Sequence, residues 1–529
     1  MQSCCESAVI DDALMPSCCE LSAVHSTSAT SSSNPVVILG FGVAAVNALF
    51  ALRDSGYTGR VVVVTNAGPM PYSPVLTSYY AAGRVARSDC FPWLPSELDA
   101  LNVELITNAQ VTRLDADAHC VHLADGESLT FSKCLIATGA HPVAPGFPHM
   151  PAFSPLFLRT MEDADRLKSA LDDESCRDVL IAGTSMVALK TLEACLHRGK
   201  RVTLLGRSAQ ILRGSAHPLI AREFEKMLEQ RGVILRLGDA VDTADDSCTS
   251  GIDITFAKDG VRQHFDQVVL AQGVKPSLEF VDARQIAMDK GVVVDAFMRS
   301  SNADVYAAGD VAQALELSSG ESKVIALWAN AVAQGTVAGR AIATARGEDD
   351  GCAMAAARGE DDGCATYSAH PALQMQPTCV VRPVRPYQGS IPCNTIHVAD
   401  ILFASAGMVA EGANVRIESE RRDDVLVLRA FQKRVQEEQC VHGEQCEQLE
   451  QHDRAAQDEQ LEQHDRAAQD EQCKCAAQND RAVQNDRAAL DAEALVGFNL
   501  LAVVEGATRE DSLLNEIGCL KREILHRFL

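Results

Sequence analysis

The sequence predicts an α/β chain made of two doubly wound, three-layer units followed by a smaller C-terminal α+β unit. Three observations predict it. Val36–Leu39 is a short apolar strand run. It leads into a glycine turn, an apolar helical pattern over Val43–Leu52 and a further strand over Arg60–Thr65. The same order returns at Asp178–Ala182, Gly183–Ser185, Met186–His197 and Arg201–Leu205. Strand, turn, helix, strand is the repeating unit of a parallel sheet covered on its faces. Beyond Pro371 the pattern changes to apolar alternation, over Thr395–Ala404, Asp424–Phe431 and Leu495–Val504, the period of half-buried strands.

Length and charge narrow the function classes. A chain of 529 residues spans several domains at about 150 residues each. The formal net charge is −25, from 47 Lys and Arg against 72 Asp and Glu. That balance argues against a broad phosphate-binding surface and hence against nucleic acid. No run approaches the roughly 18 apolar residues that span a bilayer. Met1–Asn34 has no Lys or Arg and so lacks the basic start of a secretory signal. Nineteen cysteines, an odd number in a large chain, do not read as a secreted disulfide framework. A reduced, cytoplasmic protein is expected.

In chain order, residues 1–34 are rich in Ser and Thr, carry the pairs Cys4-Cys5 and Cys18-Cys19, and read as a flexible leader. Order begins at Pro35. Tandem repeats appear later. Ala345–Ala356 is nearly copied by Ala357–Ser368, and Gln448–Glu459 is copied without error by Gln460–Glu471. The units are too short and polar to bury a core of their own. From Lys433 to Glu493 there are 16 acids against 7 bases, so this stretch reads as a polar insertion, either a solvated helical arm or disorder. Cys440, His442, Cys446, Cys473 and Cys475 lie within it. Their spacing is not that of a standard finger, and no metal site is assigned.

Gly40-Phe41-Gly42-Val43-Ala44-Ala45 has the form G-x-G-x-x-A. Gly40 permits the tight turn, Gly42 lets backbone approach a pyrophosphate, and Ala45 lets helix and strand pack closely. Helix-start N–H groups then bind the phosphates. Thr138-Gly139 lies in a strand-to-turn segment, Cys134–Pro142. Gly309-Asp310 follows the strand-like Asp304–Ala308. In this order the three segments resemble the FAD- and NAD(P)-dependent pyridine nucleotide-disulfide oxidoreductases, which identifies a Rossmann-like fold. The chain is most similar to the NADH oxidase, ferredoxin reductase and nitrite reductase flavin-domain branch. The resemblance implies that Asp310 accepts from the ribityl chain of FAD. Met70–Leu76, Gly273–Pro276 and Trp328–Gly335 resemble smaller motifs of that branch. Trp328 is then either a flavin contact or a core aromatic.

The departures from the family are chemical. It usually has an acid at the end of the second strand, to bind adenosine ribose, where this chain has Asn66. The paired redox cysteines beside the flavin are missing, and Leu76–Tyr80 has no cysteine. Cys90 reads as a buried structural thiol, which disfavours thiol chemistry and leaves hydride transfer to flavin and on to an acceptor. The second turn, Gly183-Thr184-Ser185-Met186-Val187-Ala188, puts a Cβ at Ser185 where the family has glycine. Lys190 stands where family members keep a Glu near the nicotinamide. Glu193 either replaces that carboxylate or pairs with Lys190 at the surface. The strand that follows ends in Gly206-Arg207-Ser208 instead of Asp or Glu, so Arg207 favours NADPH weakly over NADH through a 2′-phosphate contact.

These readings place an FAD-binding domain at 35–155 and 268–345 and an NAD(P)-binding domain at 156–267. A repeat linker follows at 346–368. A C-terminal interface domain spans 369–529, with its polar insertion at 433–493. The expected cofactor ligands are Gly40, Gly42, Ala45, Asn66, Thr138, Gly139, Gly309, Asp310 and Trp328 for FAD. Gly183, Ser185, Ala188 and Arg207 are expected to hold NAD(P)H. No catalytic acid or base is assigned. The acceptor is a small molecule or a redox protein, and a homodimer is expected. Two other readings stand beside this one: a flavin-binding scaffold with a degenerate nicotinamide site, and a thiol-dependent NADH oxidase or peroxidase.

Overall fold

The structure, a computed structural model, describes residues 34–144, 154–246, 251–349, 384–407, 409, 415–433, 493–504 and 507–528. The leader, both cysteine pairs, the tandem repeats and the cysteines of the insertion lie outside the described residues, apart from the helical stretch that reaches Asp349.

The first sheet is parallel and five-stranded, in the order Val305–Ala307, Lys133–Ile136, Val36–Leu39, Val61–Val64, Glu104–Ile106. Val36–Leu39 and Val61–Val64 are buried at every position, because both faces of the sheet are covered. On one face lie α1 (Val43–Asp54) and the long helix that begins at Trp328. These two helices approach so closely that a Cβ on Gly335 would fall 2.2 Å from the Ala44 carbonyl oxygen. The other face is covered by the antiparallel meander Val111–Asp115, Cys120–Leu123, Ser128–Thr130, whose Leu114 and Val121 pack on Val37, Leu39 and Val62. Two short helices follow the second strand, α2 (Thr77–Ala81) and α3 (Pro95–Asp99).

The second sheet is parallel and four-stranded, in the order Ile234–Leu237, Arg201–Gly206, Asp178–Ala182, Gln267–Leu270. Helices α4 (Met161–Asp172), α5 (Met186–His197) and α6 (Pro218–Gln230) belong to this unit. A second meander, Val241–Asp246, Ile252–Phe256, Arg262–Phe265, packs on the face formed by Leu180, Ala182 and Leu205. The two units are thus three-layered, as the paired strand-turn-helix patterns predict. The chain crosses between them at a two-stranded antiparallel ribbon, Ala140–Pro142 with Val274–Pro276. Helix α7 (Trp328–Asp349) then completes the first unit.

The third sheet is antiparallel, in the order Cys393–Val398, Ile401–Gly407, Glu493–Val503, Val425–Lys433, Val415–Arg422. The alternation over Thr395–Ala404 suggests one strand, but the chain folds back inside it. Ala399 takes φ 52° and forms the turn with Asp400. No Gly or Pro marks this turn, so the alternation hides it. Because side chains alternate across a strand, Leu402 and Ala404 face α8 (Ala507–Phe528), while Ile401 and Phe403 face the second unit. Phe403 stacks on Phe224 of α6, with ring centroids 5.8 Å apart. Each such fully buried ring contributes about 1.5–3 kcal/mol. Asn499 is fully buried between these units. Its amide oxygen accepts from the His217 N–H at 2.7 Å, and its Nδ2 donates to the Ser215 carbonyl.

Among the described residues the inner strands of the third sheet are therefore covered on both faces within one chain, while the edge strand Val415–Arg422 is largely exposed. Lys433 and Glu493 are directly paired across two neighbouring strands. The polar insertion thus leaves and re-enters at one hairpin end.

Candidate functional site

A cavity of about 1340 Å³ runs along the carboxyl ends of the first parallel sheet, where open α/β sheets bind their ligands. It is larger than the roughly 300–1,000 Å³ of a pocket for one drug-sized ligand.

At one end stands the first glycine turn. Gly40 has φ 96°, and a Cβ there would lie 2.3 Å from the Ala137 carbonyl oxygen. Gly42 is the N-cap of α1, extended and without a side-chain cap. The first N–H groups of α1 are therefore free of a capping side chain and favour an anion. Gly40, Gly42 and Asn66 line this end of the cavity, with Asn66 exposed. Ala45 does not line it. It is fully buried beneath the turn, which fits the packing part of its expected role.

Further along, Thr138 and Gly139 line the wall, and the Thr138 hydroxyl donates to the Ser277 carbonyl at 2.7 Å. Gly309, Asp310 and Trp328 line it as well. The Gly309 N–H donates to the buried Gln334 side chain at 2.8 Å, so α7 holds the Gly309-Asp310 turn in place. Trp328, half-buried, stacks on Trp93 with centroids 5.9 Å apart. These are the only two tryptophans in the chain, and both line the cavity. A flavin dinucleotide suits this set: an uncapped helix start for its phosphates, a carboxylate for its hydroxyls and aromatic surface for its ring.

Arg159 was not foreseen from the sequence. It lines the cavity, and its guanidinium donates to Asp310 at 2.7 Å and to the Ala140 carbonyl at 2.9 Å. Only the crossover between the two units brings residues so far apart in sequence together. A carboxylate has about four acceptor positions, so this ion pair does not exhaust Asp310. Tyr72, also on the wall, donates to the Arg159 carbonyl. Burial pushes its phenol up to about 12, so it stays neutral.

Cys90 is fully buried and outside the cavity wall, and burial raises its thiol pKa. No cysteine lines the cavity among the described residues. A thiolate nucleophile at this site has no candidate there.

The second glycine turn is built differently. Gly183 has φ 142°, and a Cβ there would lie 2.2 Å from the Ala271 carbonyl oxygen. Ser185 is the N-cap of α5. Its hydroxyl accepts from the Ala188 N–H at 3.4 Å and donates to the Ala271 carbonyl at 3.2 Å. The serine thus caps a helix start that the first turn leaves open. Ala188 is fully buried. Gly206 closes against Thr184, whose methyl carbon would lie 2.4 Å from an added Cβ. Arg207 and Arg213 are exposed, and Ser208 between them is half-buried. None of these residues lines the large cavity, and Val187 alone reaches it from α5.

Lys190 and Glu193 also differ from expectation. Lys190 Nζ donates to the Tyr79 hydroxyl at 3.1 Å and to Glu193 at 3.0 Å, and it lies 4.5 Å from the Tyr79 ring centroid. Glu193 pairs on its other oxygen with Arg84 at 2.6 Å, with its side chain only 5% exposed. The pair is therefore a buried tie between α2 and α5, neither a surface contact nor a cavity carboxylate.

Comparisons with known proteins agree with this architecture. Residues 34–335 match the pyridine nucleotide-disulphide oxidoreductase family. The chain is 29% identical to putidaredoxin reductase of Pseudomonas putida, over 53% of this chain and 67% of that one. It is 28% identical to a rubredoxin-NAD(+) reductase of Pseudomonas putida, over 58% and 79%. Its fold resembles that of an engineered water-forming NADPH oxidase bound to NADPH, with TM-score 0.66 and 19% identity over 92% of this chain and 91% of that one. The match spans more than half of the chain and takes in both glycine turns, Thr138-Gly139 and Gly309-Asp310. The chain belongs to the pyridine nucleotide-disulphide oxidoreductase family and is an FAD-dependent NAD(P)H oxidoreductase.

Proposed function

We propose that this chain is a reductase that prefers NADPH and passes electrons through FAD to a separate redox protein or small molecule. The observation that carries the cofactor preference is the end of the strand Arg201–Gly206. No carboxylate stands there to accept from a ribose 2′-hydroxyl, and the Thr184 methyl fills the space that an acid at 206 would need. Arg207 and Arg213 are exposed beside Ser208 and offer charge-assisted donors to a 2′-phosphate.

The engineered NADPH oxidase supplies support of a second kind. That oxidase carries five replacements: Gly to Ala, then Asp to Ala, Ala to Arg and Met to Ser in a row, then Pro to Arg. At the same intervals this chain carries Ala188, Gly206, Arg207, Ser208 and Arg213. Four of the five introduced residue types are present, and the fifth position is also small and uncharged.

On this reading residues 35–155 and 268–345 bind FAD and 156–267 bind the nicotinamide dinucleotide. Residues 369–529 supply a homodimer interface, and the protein works in the cytoplasm. When bound, FAD supplies the hydride acceptor. The first turn of α1 holds its phosphates, Asn66 reaches the adenosine ribose, and Asp310 with Arg159 orients the ribityl chain. Gly183, Ser185 and Ala188 form the turn that meets the nicotinamide dinucleotide. Ser185 must give up its cap to a phosphate, at a cost of about 0.5–1.5 kcal/mol for one hydrogen bond. That cost is what favours the second reading, a flavin-binding scaffold with an inactive second site.

For the acceptor, the similarity to putidaredoxin reductase and to a rubredoxin-NAD(+) reductase favours a redox protein. Anaerobic stopped-flow mixing of the yellow holoprotein with NADPH separates the readings. Fast bleaching supports the reductase, and a flavin that stays oxidised with both NADPH and NADH supports the scaffold.

A further inference from the structure

We propose that the Glu162 carboxylate, on the first turn of α4, receives the nicotinamide end of the dinucleotide, taking the part that position 190 cannot play. This rests on the reading above that NADPH is the reductant. Three observations lead to Glu162. First, α5 has no carboxylate to offer. Position 190 is a lysine tied to Tyr79 and Glu193, and both Glu193 oxygens are engaged inside the seam between α2 and α5. Second, among the described residues three acids line the large cavity: Glu162, Glu279 and Asp310. Asp310 is paired with Arg159. Glu279 lies by the ribbon between the units, within 4 Å of Lys275 and His141. Glu162 alone of the three has no hydrogen bond or ion pair among the described residues.

Third, Glu162 is well placed. It is exposed on the N-terminal turn of α4. There it shares the cavity wall with Val187 from the first turn of α5, so both belong to the unit expected to carry the dinucleotide. Tyr72 and Arg87 from the first unit line the same cavity, which puts Glu162 on the wall that the two units share.

A carboxylate at that point has two effects. It accepts from the carboxamide N–H of the nicotinamide, a charge-assisted contact about twice as strong as a neutral one. Loss of hydride to the flavin also turns the nicotinamide ring from neutral to cationic. A fixed negative charge beside it favours the cation, and so favours hydride departure over mere binding.

The test is calorimetric titration of the oxidised holoprotein with NADP+ and, separately, with 2′,5′-ADP, which keeps the 2′-phosphate but lacks the nicotinamide. Glu162→Ala is expected to weaken NADP+ binding roughly tenfold and to leave 2′,5′-ADP binding unchanged. Glu162→Gln, which keeps an acceptor but loses the charge, is expected to fall between wild type and Glu162→Ala. Flavin reduction by NADPH is expected to slow in both variants, and reduction by dithionite to stay at the wild-type rate. Unchanged NADP+ affinity in Glu162→Ala would overturn the inference, as would an equal loss for 2′,5′-ADP. If wild type binds neither ligand, the choice of NADPH falls and this inference with it.

Discussion

Removing the Arg207 guanidinium is expected to erase much of the preference for NADPH. The side chain is exposed at the end of the strand Arg201–Gly206. A hydrogen bond between charged groups contributes about 1.5–3 kcal/mol, and exposure and salt reduce this. About 1.4 kcal/mol remains as a working figure, a factor of roughly ten. Arg207→Ala is therefore expected to lower the ratio of kcat/KM for NADPH over NADH about tenfold, mostly through KM for NADPH. Arg207→Ala with Arg213→Ala is expected to lower it further, and raised salt to narrow the gap in wild type.

The converse change is constrained by packing. In Gly206→Asp the new Cβ meets the Thr184 methyl carbon at 2.4 Å, and overpacking of this kind costs about 1–3 kcal/mol. In Thr184→Ala that methyl is gone and the nearest atoms are Leu237 Cδ2 at 3.4 Å and the Cβ of residue 184 at 3.5 Å, both ordinary contacts. Gly206→Asp alone should lose stability, and Gly206→Asp with Thr184→Ala should recover it and use NADH. The assay is single-turnover flavin reduction with each cofactor, together with thermal unfolding. A wild-type preference for NADH, or a preference for NADPH that Arg207→Ala leaves intact, would refute the reasoning.

Four further outcomes are expected. Asp310→Ala should weaken FAD retention by about tenfold or more, since the flavin loses a charged acceptor and Arg159 loses its partner; undiminished FAD content after dialysis would count against the role of Asp310. Cys90→Ser should keep flavin reduction by NADPH, because this thiol is buried outside the cavity wall; loss of reduction with FAD still bound would revive thiol chemistry. Replacing residues 434–492 by a short Gly/Ser turn should preserve FAD content and oligomer size in gel filtration, because Lys433 and Glu493 are already paired; loss of both would mean that the insertion packs on the body. Finally, burial lowers the pKa of His397 below its ordinary 6.5. The unfolded chain then binds this proton more readily, so stability holds above about pH 6.5 and declines as pH falls through the lowered value. His397→Asn should flatten that part of a urea-midpoint profile against pH, and an unchanged slope would remove His397 as its source.

Local pattern accounts for much of this protein. Strand, glycine turn, helix and strand occupy consecutive residues, so both parallel units and both turns are legible in the sequence. Gly40 and Gly183 are readable for the same reason: each needs a backbone conformation and a close approach that only glycine permits. The flavin-side residues Thr138, Gly139, Gly309 and Asp310 follow strands, and a strand's carboxyl end is where a parallel sheet presents its ligands.

Tertiary structure decided what depends on contacts between distant segments. Arg159 meets Asp310 across the crossover between units, and no periodicity joins those two positions. The roles of Lys190 and Glu193 turned on Tyr79 and Arg84 arriving from another unit, which made a buried tie of what helical spacing presents as an isolated pair. The hairpin at Ala399-Asp400 was hidden because alternation continues through it. The physical reason is the same in each case. Backbone conformation answers to neighbours within a few residues, while a side chain's partner and its exposure answer to whatever the folded chain brings beside it.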